Sequence, residues 1–253
     1  MISFLKHIAR KSAFARALYW NMIFLAKAVR HDFFSPRRFM LFLKVRPFTM
    51  VSYERLENAY ELAEDIEKRK IAGAFVECGV WKGGAAAVVA VVAAKKEEKR
   101  QLWLFDSFEG LPEPTPQDGV RAKEYAGGRT SGTLASIGKC VGPLQDVQQL
   151  FFHKLRLSGD TVHIEQGWFQ DTLAAAKERV GSIALLRMDA DWYESTRCIL
   201  ENLFDNVVAG GYVIIDDYYC WEGCKKAVDE FLAKRNIHPR MIRVDKEGAY
   251  FQK

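Results

Sequence analysis

From Ala72 onward two kinds of segment alternate, and this alternation restricts the fold more than any other feature of the chain. "AGAFVEC", "QLWLFD", "TVHIEQ", "SIALLRMD" and "GYVIID" are short runs rich in β-branched and aromatic residues, as buried strands are. Between them lie "GGAAAVVAVVAAKK", "LQDVQQLFFHKL", "DTLAAAKERV" and "YESTRCILENLFDNV", with apolar residues at helical spacing. A further helix, "EGCKKAVDEFLAKRN", and two strands around a tight turn, "RMIRVDKEGAYFQK", close the chain. Strands joined by crossover helices pair in parallel. The pattern therefore predicts a doubly wound α/β sheet, covered on both faces, with a C-terminal antiparallel hairpin.

Ahead of this body stands a different kind of sequence. Residues 1–50 hold ten Lys/Arg and one acid, Asp32, whereas the remaining 203 residues hold 27 Lys/Arg and 31 acids. The formal charge of +5 is thus a property of the N-terminal segment, and a nucleic-acid partner is not expected for the body. Phe4, Leu5, Ile8, Ala15, Leu18, Tyr19, Met22 and Leu25 recur at roughly helical spacing and predict an apolar stripe on one or two helices. Such a basic helical extension (1–50) suits a lid, a subunit contact in a homodimer, or a helix lying on a membrane surface. A clear helix follows at 52–70, with Leu56, Ala59, Tyr60, Ala63 and Ile66 as its stripe and Ser52 as its cap. No apolar run approaches the roughly 18–20 residues of a membrane span. Basic residues interrupt any signal-peptide core. Five cysteines without paired spacing argue against a zinc site and suit a reducing, cytoplasmic setting.

"FVECGVWKGG" (75–84) ends the first strand of the body and opens a helix. Gly79 permits a tight turn, and Gly83 with Gly84 lets the helix approach the sheet or a ligand. The spacing, E-x-G-x-x-x-G, is neither the dinucleotide fingerprint nor a P-loop. Asp106 closes the next strand, where doubly wound folds bind ribose hydroxyls; its alternative role is a cap. Glu77 needs compensation on a central strand, from the cationic end of a ligand or a backbone N–H. Together these residues favour a nucleoside-containing ligand without a pyrophosphate. The polar, Gly-rich stretch 113–143 is long enough to be functional or partly disordered.

Two further strands run into acids: "IALLRMD" ends at Asp189 and "YVIIDD" at Asp216 and Asp217. As parallel neighbours these strands lie about 4.8 Å apart, so their tips share one sheet edge. Carboxylates gathered there repel unless a cation sits among them, and an all-oxygen set suits Mg²⁺ or Mn²⁺. Asp191 is a fourth acid: a base, a support for the others, or the cap of the helix starting near Tyr193. His163 is a rival base on its strand, but a structural role is the stronger expectation.

"TMVSYERLENAYEL", "FVECGVWKGG", "LWLFDSFEGLP", "GWFQDTL", "LLRMDADWYEST" and "GGYVIIDDYYCWEGCKKAVDEF" resemble the macrocin O-methyltransferase family, whose members methylate sugar hydroxyls. The resemblance implies a class I methyltransferase domain over 51–253, with a seven-stranded, mostly parallel sheet that binds S-adenosylmethionine. It implies that Glu77, Gly79 and Gly83 form the cofactor motif and that Asp106, with Ser107, holds the ribose. It implies further that Gln166, Gly167 and Trp168 line the adenine and that Asp189, Asp216 and Asp217 ligate Mg²⁺. Asp189 is then the base, with Asp191 the weaker candidate. The expected activity is Mg²⁺-dependent methyl transfer to a hydroxyl of a sugar, glycan or glycosylated metabolite. Two other functions use the same residues differently: a metal-dependent nucleotide or phosphoester hydrolase, and a non-catalytic membrane-surface or assembly module.

Overall fold

The structure, a computed structural model, describes residues 13–94 and 100–253. Three helices come first: α1 (Ala13–Asp32), α2 (Pro36–Val45) and α3 (Tyr53–Arg69). The body follows as β1 (Ala74–Cys78), α4 (Gly84–Ala93), β2 (Leu102–Asp106), α5 (Gly119–Tyr125) and α6 (Leu144–Gln148). Then come β3 (Val162–Gln166), α7 (Phe169–Val180), β4 (Ile183–Met188), α8 (Tyr193–Leu203), β5 (Val207–Ile215), α9 (Glu222–Lys234), β6 (Ile242–Arg243) and β7 (Ala249–Gln252).

Among the described residues the sheet has seven strands in the order β3-β2-β1-β4-β5-β7-β6. The first five pair in parallel, whereas β7 pairs antiparallel with β5 and β6, as the alternation and the terminal hairpin predict. The winding reverses between β1 and β4. A cleft therefore opens at their C-terminal ends, the place where doubly wound sheets bind ligands. Aliphatic and aromatic side chains fill both faces. One core joins β1 and β2 to α3, α4, Leu150 and Phe151, and the other joins the sheet to α7, α8 and α9.

Helix α4 shows how the N-terminal helices belong to this architecture. Nine of its ten residues are buried, so it has no polar face to give to water. A helix apolar all round must be covered on both sides. The sheet covers one side, while Phe42, Val45 and Phe48 from the α2 region share the core on the other. Ser52 caps α3 by accepting from the Arg55 N–H (3.2 Å), and the expected stripe of that helix is buried.

Helix α1 departs from its expected stripe. Leu18, Met22 and Leu25 are exposed, Ala15 and Tyr19 are half-buried, and Phe24 and Ala28 face the core instead. Phe4, Leu5 and Ile8 of that stripe lie outside the described residues. The helix has two apolar sides, and polar ties select which one packs. Lys27 pairs with Glu54, and buried Asp32 receives both Arg38 and the Tyr53 hydroxyl (2.8 Å). Spacing alone does not reveal such a choice.

Candidate active site

The cleft at the β1–β4 junction is a cavity of about 400 Å³. One half of its wall is made largely by backbone. Gly79 follows β1 with φ +86°, and a Cβ there would sit 1.7 Å from the Asp189 carbonyl oxygen. Only glycine allows β1 and β4 to close this tightly. Gly83, at φ +87°, turns the chain into α4. Asp106 stitches this turn to the tip of β2: one carboxylate oxygen accepts from the N–H groups of Val80 (2.7 Å) and Trp81 (2.8 Å), and the other from Phe108 (2.7 Å). Burial raises its pKa, and these three donors oppose the rise. Asp106 is therefore a loop anchor in this structure, with about one acceptor site left for a hydroxyl. Ser107, Gly167 and Trp168 complete this side of the wall, whereas Gln166 sits at the exposed end of β3.

The other half is made by side chains. Asp189, Asp191 and Asp217 each offer a carboxylate oxygen, all within 4.8 Å of one another. Burial raises all three pKa values, and repulsion adds to the rise: from Asp216 at Asp189, from Asp189 and Asp216 at Asp191, and from Asp191, Asp189 and Asp216 at Asp217. Asp189 reaches about 6, Asp191 about 8, and Asp217 lies well above the carboxylate range. Asp191 stands in a left-handed backbone conformation (φ +53°) between β4 and α8, with Trp221 beside it on the cavity wall. It does not cap α8. That task falls to Asp118, whose carboxylate accepts from the Tyr193 N–H at 2.6 Å. The 113–143 stretch thus reaches across the cleft, carries its own helix α5, and brings Tyr125 and Cys140 to the cavity wall.

Asp216 is placed differently from its neighbour. Arg187, fully buried on β4, donates to Asp216 (2.5 Å), Glu77 (3.0 Å) and Asp189 (3.1 Å). Arg55 of α3 also pairs with Asp216, and with Asp245 (3.2 Å) and Glu247 (2.7 Å). Of the expected ligand set of Asp189, Asp216 and Asp217, all three line the cavity; Asp216 is paired with two guanidiniums, and the oxygens that lie within 4.8 Å of one another are those of Asp189, Asp191 and Asp217. Glu77 accepts from Arg187 through one carboxylate oxygen, while its other oxygen is buried with no hydrogen-bond partner among the described residues. It lies behind the cavity, and burial raises its pKa to about 8.

Of the expected site residues, the cavity wall unites Gly79, Asp106, Ser107, Gly167, Trp168, Asp189, Asp191, Asp216 and Asp217. Glu77, Gly83 and Gln166 stand outside it. His163 is elsewhere, stacked on Trp103 (4.2 Å) and bonded to Gln101 (2.6 Å), as a structural histidine would be. Arg55, Asp118, Tyr125, Cys140 and Trp221 are site residues that sequence reasoning passed over. Arg187 had left a signal: a guanidinium inside a buried strand demands buried acids.

Residues 43–253 match the family model described as Macrocin-O-methyltransferase (TylF). Demethyldecarbamoylnovobiocin O-methyltransferase of Streptomyces niveus is 38% identical over 206 residues, which is 81% of this chain and 75% of that protein. The 8-demethyl-8-(2,3-dimethoxy-alpha-L-rhamnosyl)-tetracenomycin-C 4'-O-methyltransferase of Streptomyces olivaceus is 36% identical over 205 residues, again 81% and 75%. Among solved structures, the O-methyltransferase NovP superposes with a TM-score of 0.68 at 34% identity, covering 81% of this chain and 82% of that one.

Proposed function

Because this chain belongs to the macrocin O-methyltransferase family and is an S-adenosylmethionine-dependent O-methyltransferase, we propose that it methylates a hydroxyl of a sugar or glycosylated metabolite with the help of a divalent cation. The Streptomyces olivaceus relative is named for a rhamnosyl-bearing compound, and this supports a sugar acceptor. The observation that carries the cation is the trio of proton-hungry carboxylates on one cavity wall. With family membership the hydrolase and the non-catalytic module both fall away.

The residues present fit both groups. A cavity of this size, with a close glycine turn and Asp106 at its edge, suits the nucleoside and methionyl parts of S-adenosylmethionine. Gly79, Asp106, Ser107, Gly167 and Trp168 would hold it, with Glu77, Gly83 and Gln166 supporting the turn and the strand end. Asp189, Asp191 and Asp217 would hold Mg²⁺, an oxygen-preferring ion that lowers the pKa of a hydroxyl it contacts. Asp189 and Asp191 remain the candidate bases. Arg187 and Arg55 keep Asp216 fixed beside the trio. Trp168 and Trp221 exclude water, and much of the rate gain comes from holding the acceptor oxygen in line with the methyl group.

Residues 1–50 supply the contact with any larger partner, a second copy or a membrane surface, and the chain works in the cytoplasm. Incubation with S-adenosylmethionine, Mg²⁺ and a panel of glycosides, followed by mass spectrometry, tests the reading. Gain of one methyl group by a sugar-bearing acceptor, lost on chelation of the cation, supports it. Methylation only of non-sugar phenols would overturn the acceptor class.

A further inference from the structure

Leu18, Met22, Leu25 and Val29 follow one another at steps of four, three and four along α1, which places them within an arc of about 60°. All four are 46–52% exposed. The stripe continues into Phe33 (71% exposed) and Phe34 (93%), whose rings meet edge to face at 5.0 Å. Phe24, Ala28 and the Lys27–Glu54 pair occupy the opposite side of the helix. An apolar line of this length left in water marks a docking surface.

Charge decides what docks there. Asp32 is the one acid in residues 1–50, and it is buried against Arg38 and Tyr53. The described part of this segment therefore exposes no carboxylate. Arg30 and Arg37 are exposed, and no carboxylate pairs with either among the described residues. The same segment of a second copy would bring cations onto cations. An anionic bilayer would neutralise them. Trp20, also exposed, and the Phe33–Phe34 pair are the side chains that favour the headgroup boundary. No described helix is long and apolar enough to cross a membrane, so the surface remains.

We propose that α1 docks the enzyme on anionic lipid bilayers. It lies in the plane of the interface, with Leu18, Met22, Leu25 and Val29 among the acyl chains and Arg30 and Arg37 at the phosphates. This function is additional to methyl transfer and does not require the acceptor or the cation to be as assigned above.

Co-sedimentation of the full chain with vesicles tests it. Vesicles with roughly 30% phosphatidylglycerol in phosphatidylcholine should bind about tenfold more strongly than phosphatidylcholine alone, and high salt should weaken the binding. The double variant Leu18→Glu with Leu25→Glu should lose about tenfold in partitioning. Its affinity for S-adenosylhomocysteine should stay unchanged, which shows that the variant is folded and separates this test from that of the reaction. Equal partitioning to both vesicle types would overturn the proposal. So would a dimer in sedimentation equilibrium that the double variant dissociates, with no vesicle binding by the native chain.

Discussion

The two halves of the cleft solve the problem of buried charge in opposite ways. At the tips of β1 and β2, Asp106 is satisfied by three backbone N–H groups, and that half is electrostatically complete as it stands. At the tips of β4 and β5, Asp189, Asp191 and Asp217 crowd together with their proton affinities raised. In the reading proposed above, a divalent cation adds the positive charge that Arg187 and Arg55 do not supply to this half. The adjacent residues Asp216 and Asp217 mark the boundary, since one is answered by two arginines and the other is not. A site that binds one ligand by shape and another by charge can lose either capacity separately.

Arg187 underlies the charged half, and its replacement should have the largest effect. Arg187→Met leaves Glu77 and Asp216 buried without their guanidinium, at a cost of about 3–5 kcal/mol. Calorimetric unfolding should show the midpoint falling by about 10 °C or more. A fall of only a degree or two would mean that Arg55 alone compensates these acids.

Gly79→Ala probes the backbone half. The new Cβ meets the Asp189 carbonyl, and the left-handed backbone adds roughly 1–3 kcal/mol of strain. S-adenosylhomocysteine affinity should drop by about tenfold or more, an effect near 1.4 kcal/mol. Unaltered affinity would remove the glycine turn from the cofactor site.

The smallest effect is one of pH. Asp189 and Asp191 keep protons in the folded chain, up to about pH 6 and about pH 8, where the unfolded chain has already released them. Their raised values therefore lower stability as pH rises from about 4 through this window. A bound cation relieves that penalty. Added Mg²⁺ should then raise the melting temperature more at pH 8 than at pH 6, by a few degrees. An equal rise at both would disconnect the acids from the ion.

Much of this was legible in the sequence because strand ends are legible. Apolar runs locate β1, β2, β4 and β5, and the residues at or just past their ends, Gly79, Asp106, Asp189 and Asp217, fall on one sheet edge by topology alone. What the sequence does not display is the pairing of charges across strands. Arg187 reaches Glu77 and Asp216 because the registers of β1, β4 and β5 align them, and Arg55 arrives from a helix remote in sequence. Asp118 could not be recognised as the cap of α8 without the path of the 113–143 loop. In α1, period identified a helix with two apolar sides, and tertiary ion pairs chose between them.

The central claim is that a divalent cation completes the charged half of the cleft while the cofactor half stands without it. Titration calorimetry of Asp217→Asn beside the native chain at pH 8, with Mg²⁺ and separately with S-adenosylhomocysteine, tests this directly. The account predicts that the variant loses the Mg²⁺ heat seen with the native chain and keeps S-adenosylhomocysteine affinity within about threefold, under 1 kcal/mol. Retention of native Mg²⁺ binding by Asp217→Asn, or its absence from the native chain, would contradict it.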